Sequence, residues 1–381
     1  MFTRDPLAGR IPVTLITGFL GSGKTTLLSR LVRHPKMAGA AVIINEVGEI
    51  GIDHDLVTMA SENISLLANG CICCSVRTDL QETLRALFAQ RHAGAIPDFD
   101  RLIIETTGLA DPAPVVQTLA SDTLLAAKFR LDALVTLVDA VNALQQQAVH
   151  PEVAKQIALA DRIFISKADL VDEAALRAVE EAVDTLNPRA RASVLLHGEV
   201  DPAELTGLGL SSAKAGPSTL TFLGEPLQGE GSMGERRLGE RRLGEQRSGE
   251  QRLSERRSGE RPPMHTNAIR TLSLRFQTPF SWSALSAALE LLSTLRGPDL
   301  LRVKGIVNVN GQPYVVQGVQ HIFHEPVVLD RWPSRDTDTR LVFITRGIEA
   351  STIRNLIRAV AATSPGNAEV QGDNSDPPSA L

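Results

Sequence analysis

The chain has 381 residues, of which 43% are hydrophobic and 22% are charged. This composition is typical of a globular protein, and the length allows two domains. The formal net charge of −5 gives no overall attraction to nucleic acids or to anionic membranes. No apolar run reaches the ~18 residues that a membrane-spanning helix needs, so we expect neither nucleic acid nor membrane as a partner.

The first predicted strand, at residues 11–16, leads into the segment Gly-Phe-Leu-Gly-Ser-Gly-Lys-Thr at 18–25, and a helix is predicted for 26–32. This segment matches G-x-x-x-x-G-K-[ST], and its flanks are those of a phosphate-binding P-loop. Lys24 would reach the β- and γ-phosphates, and the Thr25 hydroxyl would hold Mg²⁺. The alternative is a glycine turn with a surface lysine. The predicted nucleotide contacts in this segment are Gly18, Gly21, Ser22, Gly23, Lys24, Thr25 and Thr26.

Apolar runs without polar alternation continue along the first half of the chain, with helical patterns between them. The runs are 41–44, 64–67, 102–104, 134–138, 163–165 and 193–196, and the clearest helices are 79–90, 115–120 and 174–185. Continuous apolar strands are typical of a parallel sheet that helices cover on both faces. The pattern therefore predicts an α/β domain, a doubly wound and mainly parallel sheet whose ligand binds at the carboxyl ends of the strands.

Two acids, Glu46 and Asp53, follow the second predicted strand and are candidates for orienting water or sensing Mg²⁺; ordinary loop acids are the alternative. Three cysteines follow the run at 64–67, in the order Cys71-Ile-Cys73-Cys74. This odd, clustered set cannot form a disulfide framework and indicates a reducing cytoplasm.

The position of the cysteines predicts that they lie at the same edge of the sheet as the P-loop. Thiolates bind Zn²⁺, Cu⁺ or Co²⁺ well. A chain with only three thiols leaves a coordination position open, which suits a metal that must move on. Buried apolar cysteines and a thiol redox centre are the alternatives.

The run at 102–104 ends in Glu105, three residues before Gly108. In P-loop proteins an acid here accepts a hydrogen bond from Mg²⁺-bound water, and the glycine N–H reaches the γ-phosphate. A strand-end surface glutamate is the alternative. Leu109 stands where a water-positioning glutamine would follow, so we expect slow intrinsic hydrolysis. The predicted catalytic residues are Lys24, Thr25, Glu46 and Glu105, with Thr25 and Glu105 serving Mg²⁺.

The run at 163–165 is followed by Ser166-Lys167-Ala-Asp169, which matches the guanine signature [NST]-K-x-D. A carboxylate accepts hydrogen bonds from both the N1–H and the 2-amino group of guanine, and adenine offers no such pair of donors. Ser166, Lys167 and Asp169 are therefore predicted nucleotide contacts, and GTP is favoured over ATP. A P-loop kinase would require the opposite preference.

Five-residue repeats of the Gly-Glu-Arg-Arg-Leu type fill residues 234–258. At most one leucine per repeat cannot build a core, so a flexible linker is predicted. The nine Arg and six Glu of 234–261 leave a basic patch for RNA or membrane as a weaker alternative. The predicted organisation is a P-loop GTPase domain at 1–227, a linker at 228–266, a smaller α+β C-terminal domain at 267–349 and a disordered tail at 364–381.

Taken together, these motifs resemble the CobW family of metal-handling GTPases, which is related to the accessory GTPases of hydrogenase and urease maturation. The matching segments are the P-loop, Asn45-Glu46-Val-Gly48-Glu49 with Asp53, Asn69-Gly-Cys71-Ile-Cys73-Cys74, Glu105-Thr-Thr-Gly108-Leu-Ala-Asp-Pro112, Ser166-Lys-Ala-Asp169, and 301–308 with 317–321 in the second domain. The resemblance implies a protein that carries zinc or cobalt to client metalloenzymes while GTP gates the transfer. Many members have a His-rich stretch between the domains, where this chain has the Gly-Glu-Arg repeat.

The sequence therefore predicts a cytoplasmic GTPase that binds GTP with Mg²⁺ and holds zinc at Cys71, Cys73 and Cys74 for delivery to client metalloproteins. A dimer that depends on GTP or metal is a further expectation. The alternatives are a cobalt chaperone for cobalamin synthesis and a GTP-gated metal sensor or buffer without client transfer.

Overall fold

A computed structural model describes residues 7–44, 57–61, 64–67, 72–75, 80–210, 213, 219, 223 and 269–363, with the three segments between 57 and 75 described by their backbone. Within these ranges, the helices are all too short or too polar to cross a membrane. Two sheets organise the described chain, one in each predicted domain.

The first sheet has nine strands in the described residues: β1 (Ile11–Gly18), β2 (Ala40–Ile44), β3 (Val57–Ser61), β4 (Ile64–Leu67), β5 (Ile72–Ser75), β6 (Arg101–Glu105), β7 (Phe129–Asp139), β8 (Arg162–Ser166) and β9 (Arg191–Leu195). Their order is β3-β4-β5-β2-β6-β1-β7-β8-β9, and every pair from β5 to β9 is parallel. The chain after β1 leads to β2 on one side of the sheet, and the chain after β6 leads to β7 on the other side, so a crevice for ligand opens at the carboxyl ends of β1 and β6.

Helices cover both faces of this sheet: α1 (Lys24–Leu31), α2 (Leu80–His92), α3 (Ala113–Ser121), α4 (Thr123–Lys128), α5 (Ala143–Val149), α6 (Pro151–Leu159) and α7 (Glu173–Leu186). On one face, Ile103 joins a core with Leu28 of α1. On the other face, Ile104 packs in a core that contains Ile157 of α6 and Val183 of α7. Because consecutive strand residues alternate between two buried cores, the predicted doubly wound α/β domain is confirmed.

The strand that precedes the cysteines does not run in the predicted direction. Residues 64–67 do form a strand, but β4 runs antiparallel to β5, so its carboxyl end points away from the P-loop edge. Cys73 and Cys74 lie within β5, whose backbone is parallel to β2 and places them opposite Val42 and Ile43. Cys73 and Cys74 thus lie on a strand that runs towards the P-loop edge, and the sequence analysis predicted no strand at these positions. Cys71, like Glu46, lies outside the described residues.

The second domain is an antiparallel sheet with two helices. It contains β10 (Ile269–Phe276), α8 (Trp282–Arg296), β11 (Leu300–Val309), β12 (Gln312–Val319), β13 (Ile322–Phe323), β14 (Val327–Val328), β15 (Thr339–Arg346) and α9 (Ala350–Thr363). The strand order is β10-β15-β11-β12-β13, with β14 paired to β12. Leu289 of α8 and Ile357 of α9 share a core with Phe343 of β15. The α+β prediction is confirmed. The sequence analysis predicted no element at the position of α9.

A charged junction joins the two domains beyond the end of α6. Arg302 Nη2 donates to Asp161 Oδ1 at 2.6 Å, and Lys304 Nζ donates to the same oxygen at 2.8 Å. Arg302 Nη1 also donates to the Leu159 carbonyl oxygen. Burial alone would raise the pKa of Asp161, but the two cations hold it far below its usual range. Leu301 extends the contact by joining the apolar core of the first domain.

Candidate functional site

The P-loop connects the end of β1 to the start of α1. Gly23 caps α1 in a left-handed conformation, with φ of 92°, which favours glycine because it lacks a Cβ. Lys24 is 4% exposed, and its Nζ donates to the carbonyl oxygens of Gly18 at 2.9 Å and Phe19 at 3.3 Å. Ser22 Oγ is buried and has no hydrogen-bond partner within the described structure. The loop therefore keeps a cation and a spare hydroxyl at the N-terminus of a helix, where anions bind favourably.

Thr25 and Thr26 are exposed on the first turn of α1, where a bound nucleotide can reach them. An open cleft of about 700 Å³ runs beside this helix. Its walls come from α1 and from the turn after β9, and include Thr26, Arg30 and Gly198. Most of its lining comes from the second half of α1 and the residues that follow it, so the cleft runs along the helix and meets the predicted nucleotide contacts at Thr26.

Glu105 ends β6 directly beside the P-loop strand. It is in register with Ile16 of β1 and Ile44 of β2, and it is 1% exposed. The next residue, Thr106, donates its hydroxyl to Thr17 Oγ1 at 2.8 Å. A buried acid and two buried hydroxyls thus meet at the carboxyl ends of adjacent strands.

The loop after β6 touches the P-loop at Gly108. A Cβ at this position would lie 2.7 Å from the Leu20 backbone nitrogen, so only glycine allows this approach. Gln156 of α6 secures the loop from the other side, because its Nε2 donates to the carbonyl oxygens of Gly108 at 3.2 Å and Ala110 at 3.0 Å. Sequence analysis did not single out Gln156, since a glutamine within an amphipathic helix carries no local signal of burial.

The turn after β8 forms the third part of the site. Ser166 Oγ donates to the Ser22 carbonyl oxygen of the P-loop at 2.8 Å. Lys167 has a left-handed backbone, with φ of 57°, and its Nζ donates to Asp139 Oδ2 at 2.7 Å. Asp169 is exposed in the short helical turn that follows. Burial would raise the pKa of Asp139, but hydrogen bonds from Lys167, Asn142 and the Val141 N–H together lower it.

The site residues predicted from the sequence separate into two groups. The fold brings the P-loop residues together with Glu105, Gly108 and Ser166 at one edge of the sheet. The metal motif is described only by the backbone of Cys73 and Cys74, and Glu46 lies outside the described residues. Among the side chains that the structure describes, no group of three or more His, Cys, Asp or Glu is arranged to hold a metal ion.

Comparison with known proteins identifies the family. The model described as the CobW/HypB/UreG nucleotide-binding domain matches residues 12–194, and the cobalamin synthesis protein cobW C-terminal domain matches residues 269–361. The zinc chaperone YjiA of Escherichia coli (strain K12) is 32% identical over 352 residues, which cover 90% of this chain and 96% of YjiA. The chain is a P-loop GTPase of the CobW family. This confirms the resemblance that the motifs predicted.

Other CobW-family relatives match over part of the chain. The zinc chaperone CobW of Pseudomonas aeruginosa is 35% identical over 205 residues, covering 46% of this chain and 53% of the relative. The fold agrees with the crystal structure of Zn(II)-bound YjiA GTPase from E. coli, with a TM-score of 0.66 and 29% identity over 92% of this chain and 99% of that chain. Both domains are therefore shared with a solved member of the family.

Proposed function

We propose that this CobW-family protein is a GTP-hydrolysing metallochaperone, which binds a transition metal, zinc first, at the Cys71-Ile-Cys73-Cys74 motif and delivers it to client metalloproteins. The observation that carries the proposal is the contact between three strand-end motifs. Gly108 lies against Leu20 of the P-loop, and Ser166 Oγ donates to the Ser22 carbonyl oxygen. A nucleotide bound in the P-loop would therefore touch both the loop after β6 and the turn after β8.

The proposed nucleotide contacts follow from the chemistry of each residue. Backbone N–H groups from Gly18 to Thr26 would surround the phosphates, and Lys24 would exchange its two loop carbonyls for phosphate oxygens. The Gly108 N–H would reach the γ-phosphate, as in other P-loop proteins. Ser166 and Lys167 would shape the base site. The spare Ser22 hydroxyl and the accessible Thr25 hydroxyl fit a magnesium–nucleotide complex.

Thr25 and Glu105 would hold Mg²⁺, directly or through water. Bound there, Mg²⁺ neutralises charge that develops on the β- and γ-phosphate oxygens. Lys24 contributes positive charge at the same oxygens, and Glu46 is proposed to orient the attacking water. Leu109 supplies no polar group for that purpose, so slow intrinsic hydrolysis remains our prediction.

Guanine selectivity is proposed to come from Asp169. Its carboxylate is exposed beside the turn that Ser166 anchors to the P-loop. It can therefore accept the N1–H and 2-amino hydrogen bonds of guanine without displacing a partner within the described structure. With ATP bound, this carboxylate would face a hydrogen-bond acceptor of adenine, which lowers the affinity for ATP.

Zinc is the favoured cargo because two relatives are named zinc chaperones: YjiA, which matches most of the chain, and CobW of Pseudomonas aeruginosa, which matches part of it. Cobalt remains the alternative, since thiolates bind both ions and the cellular supply decides which is loaded. A sensor or buffer without client transfer is the alternative of another class. One relative, from Schizosaccharomyces pombe, is named a zinc-regulated GTPase metalloprotein activator, which supports client metalloproteins as partners.

The proposed organisation keeps a GTPase domain at 1–227 and a C-terminal domain that starts at 267, in a cytoplasmic protein. The predicted end of that domain at 349 is moved to include α9, because Ile353 and Ile357 lie in its core. The predicted linker at 228–266 and the predicted tail at 364–381 lie outside the described residues. A dimer that depends on GTP or metal is also proposed. It is supported by exposed apolar side chains that follow β1, β6 and β7 around the nucleotide site, namely Leu20, Leu109, Val141 and Leu144. Partner contact would remove these side chains from water.

Calorimetry with full-length protein and Mg²⁺ tests the nucleotide assignment. We expect GTP to bind much more tightly than ATP, and Lys24→Ala to abolish binding. Asp169→Asn should shift preference toward xanthosine triphosphate, whose 2-oxo group accepts a hydrogen bond from the new amide. Equal affinities for ATP and GTP in the unaltered protein would overturn the assignment.

A further inference from the structure

Within the described part of the nucleotide edge, one enclosed acid, Asp139, has no role in the proposed function. Asp139 is the last residue of β7, and its side chain is 1% exposed. Its backbone is in register with Ser166, the last residue of β8. Asp139 therefore lies beside the start of the turn that contains Asp169.

Three donors converge on this carboxylate. Lys167 Nζ lies 2.7 Å and Asn142 Nδ2 lies 2.9 Å from Oδ2, and the Val141 backbone N–H donates to Oδ1 at 2.9 Å. The Ala140 N–H also donates to the Ser166 carbonyl oxygen at 2.9 Å. The end of β7 thus holds both the backbone and the lysine of the turn after β8.

Lys167 needs such a partner because of its backbone. A left-handed conformation is unfavourable for a residue with a Cβ. The charged hydrogen bond to a buried carboxylate offsets this cost, since such bonds are stronger than neutral ones. With Lys167 fixed, the chain direction into Ala168 and Asp169 is fixed as well.

We propose that Asp139 is a positioning residue for guanine specificity, which acts through Lys167 to hold Asp169 where it meets the N1–H and 2-amino groups of the base. This inference rests on the proposed role of Asp169. Asp139 is bound on all sides by the protein, so it acts on the nucleotide only through the turn. Loss of its charge should therefore weaken guanine recognition more than phosphate binding.

The test is the affinity of full-length protein for GDP and for IDP, whose base lacks the 2-amino group, by calorimetry. Asp139→Asn keeps the shape of the side chain but removes its charge. We expect GDP affinity to fall about tenfold, the scale of a lost charge-assisted hydrogen bond, and the preference for GDP over IDP to shrink toward one. In the Lys167→Ala background, Asp139→Asn should cause little further loss.

Asp132→Asn is the matched control. Asp132 lies on the same strand, seven positions before Asp139, and its side chain is also 1% exposed. It accepts hydrogen bonds from Arg130 Nη1 and from the Gly209 N–H. Its substitution tests the effect of a damaged buried acid on β7 without touching the turn. We expect both GDP affinity and the GDP-to-IDP preference to stay within about twofold of the unaltered protein.

The possible outcomes distinguish a failure of this inference from a failure of the proposed role of Asp169. If Asp169→Asn leaves the GDP-to-IDP preference intact, the base site itself is wrong. If Asp169→Asn abolishes the preference but Asp139→Asn does not, or Asp132→Asn lowers it equally, only the role of Asp139 is overturned. Should Asp139→Asn fail to fold, Lys167→Ala decides, because it breaks the same ion pair from the other side: a reduced GDP-to-IDP preference supports the inference, and an unchanged one overturns it.

Discussion

Replacing Asp161 with alanine would remove the carboxylate that Arg302 and Lys304 share at the domain junction. The two nitrogen–oxygen distances are 2.6 and 2.8 Å, and the Asp161 side chain is 10% exposed. Its second oxygen, Oδ2, accepts from the Leu134 N–H at 3.0 Å. The substitution would leave two cations from the second domain facing each other and the end of α6.

The expected cost follows from this burial. Removing one partner of a buried ion pair typically costs ~3–5 kcal/mol, because the remaining charge stays buried without compensation. Burial and repulsion from Arg302 lower the pKa of Lys304 to about 8 even with Asp161 present. Without Asp161, Lys304 can lose its proton near neutral pH and relieve part of the strain. We therefore predict a loss at the lower end, about 3 kcal/mol.

Urea unfolding followed by tryptophan fluorescence is the appropriate assay, because both tryptophans, Trp282 and Trp332, lie in the second domain. Glu199→Ala is the control, since its pair with Arg30 is exposed on the surface and should contribute less than about 1 kcal/mol. Adding Arg302→Met and Lys304→Met to Asp161→Ala should recover stability by removing the stranded charges. A loss below about 1 kcal/mol, or one equal to that of Glu199→Ala, would refute this account of the junction.

Three further predictions concern other parts of the molecule. Burial, Arg302 and Arg10 lower the pKa of His324 from 6.5 to about 4, so at acidic pH the unfolded chain binds a proton that the folded chain does not. Relative to His324→Gln, the unaltered protein should therefore lose about 2.5 kcal/mol of stability between pH 6.5 and pH 4. An equal pH dependence of the two proteins in urea unfolding would contradict this. Gly108→Ala should push the loop after β6 away from the Leu20 backbone and so lower the rate of GTP hydrolysis at least about tenfold. Unchanged turnover would contradict the importance of that contact. Deleting residues 234–261 with a short spacer kept should leave turnover and metal stoichiometry nearly unchanged, because the repeat has too few apolar residues to form a core. A several-fold drop in either quantity would show that the repeat is structural.

The sequence predicted the parts of the fold in which local pattern and burial agree. Residues 102–104 and 163–165 form central strands that are covered on both faces, so their apolar runs are continuous. The P-loop was equally predictable, because its glycines and lysine occupy a short fixed pattern. Glu105 and Ser166 followed from the ends of those same strands.

Other features depend on contacts that no local pattern records. The antiparallel direction of β4 was missed because strand direction is set by pairing. The strand that contains Cys73 and Cys74 was not predicted either. The bond between Asp139 and Lys167 joins two strand ends 28 positions apart. The junction of Asp161 with Arg302 spans 141 positions and two domains. Such partners become visible only when the sheets are assembled.

If GTP gates metal transfer, nucleotide state must change metal affinity, and Zn²⁺ affinity measured by competition with a chelating dye tests this most directly. With full-length protein, we predict tighter Zn²⁺ binding in Mg²⁺ and a non-hydrolysable GTP analogue than in GDP, by about fivefold or more, and by reciprocity an equal effect of Zn²⁺ on analogue affinity. Cys73→Ser with Cys74→Ser should abolish the metal binding while nucleotide binding persists. Identical Zn²⁺ affinity with the analogue, with GDP and without nucleotide would contradict the GTP-gated chaperone and favour the buffer.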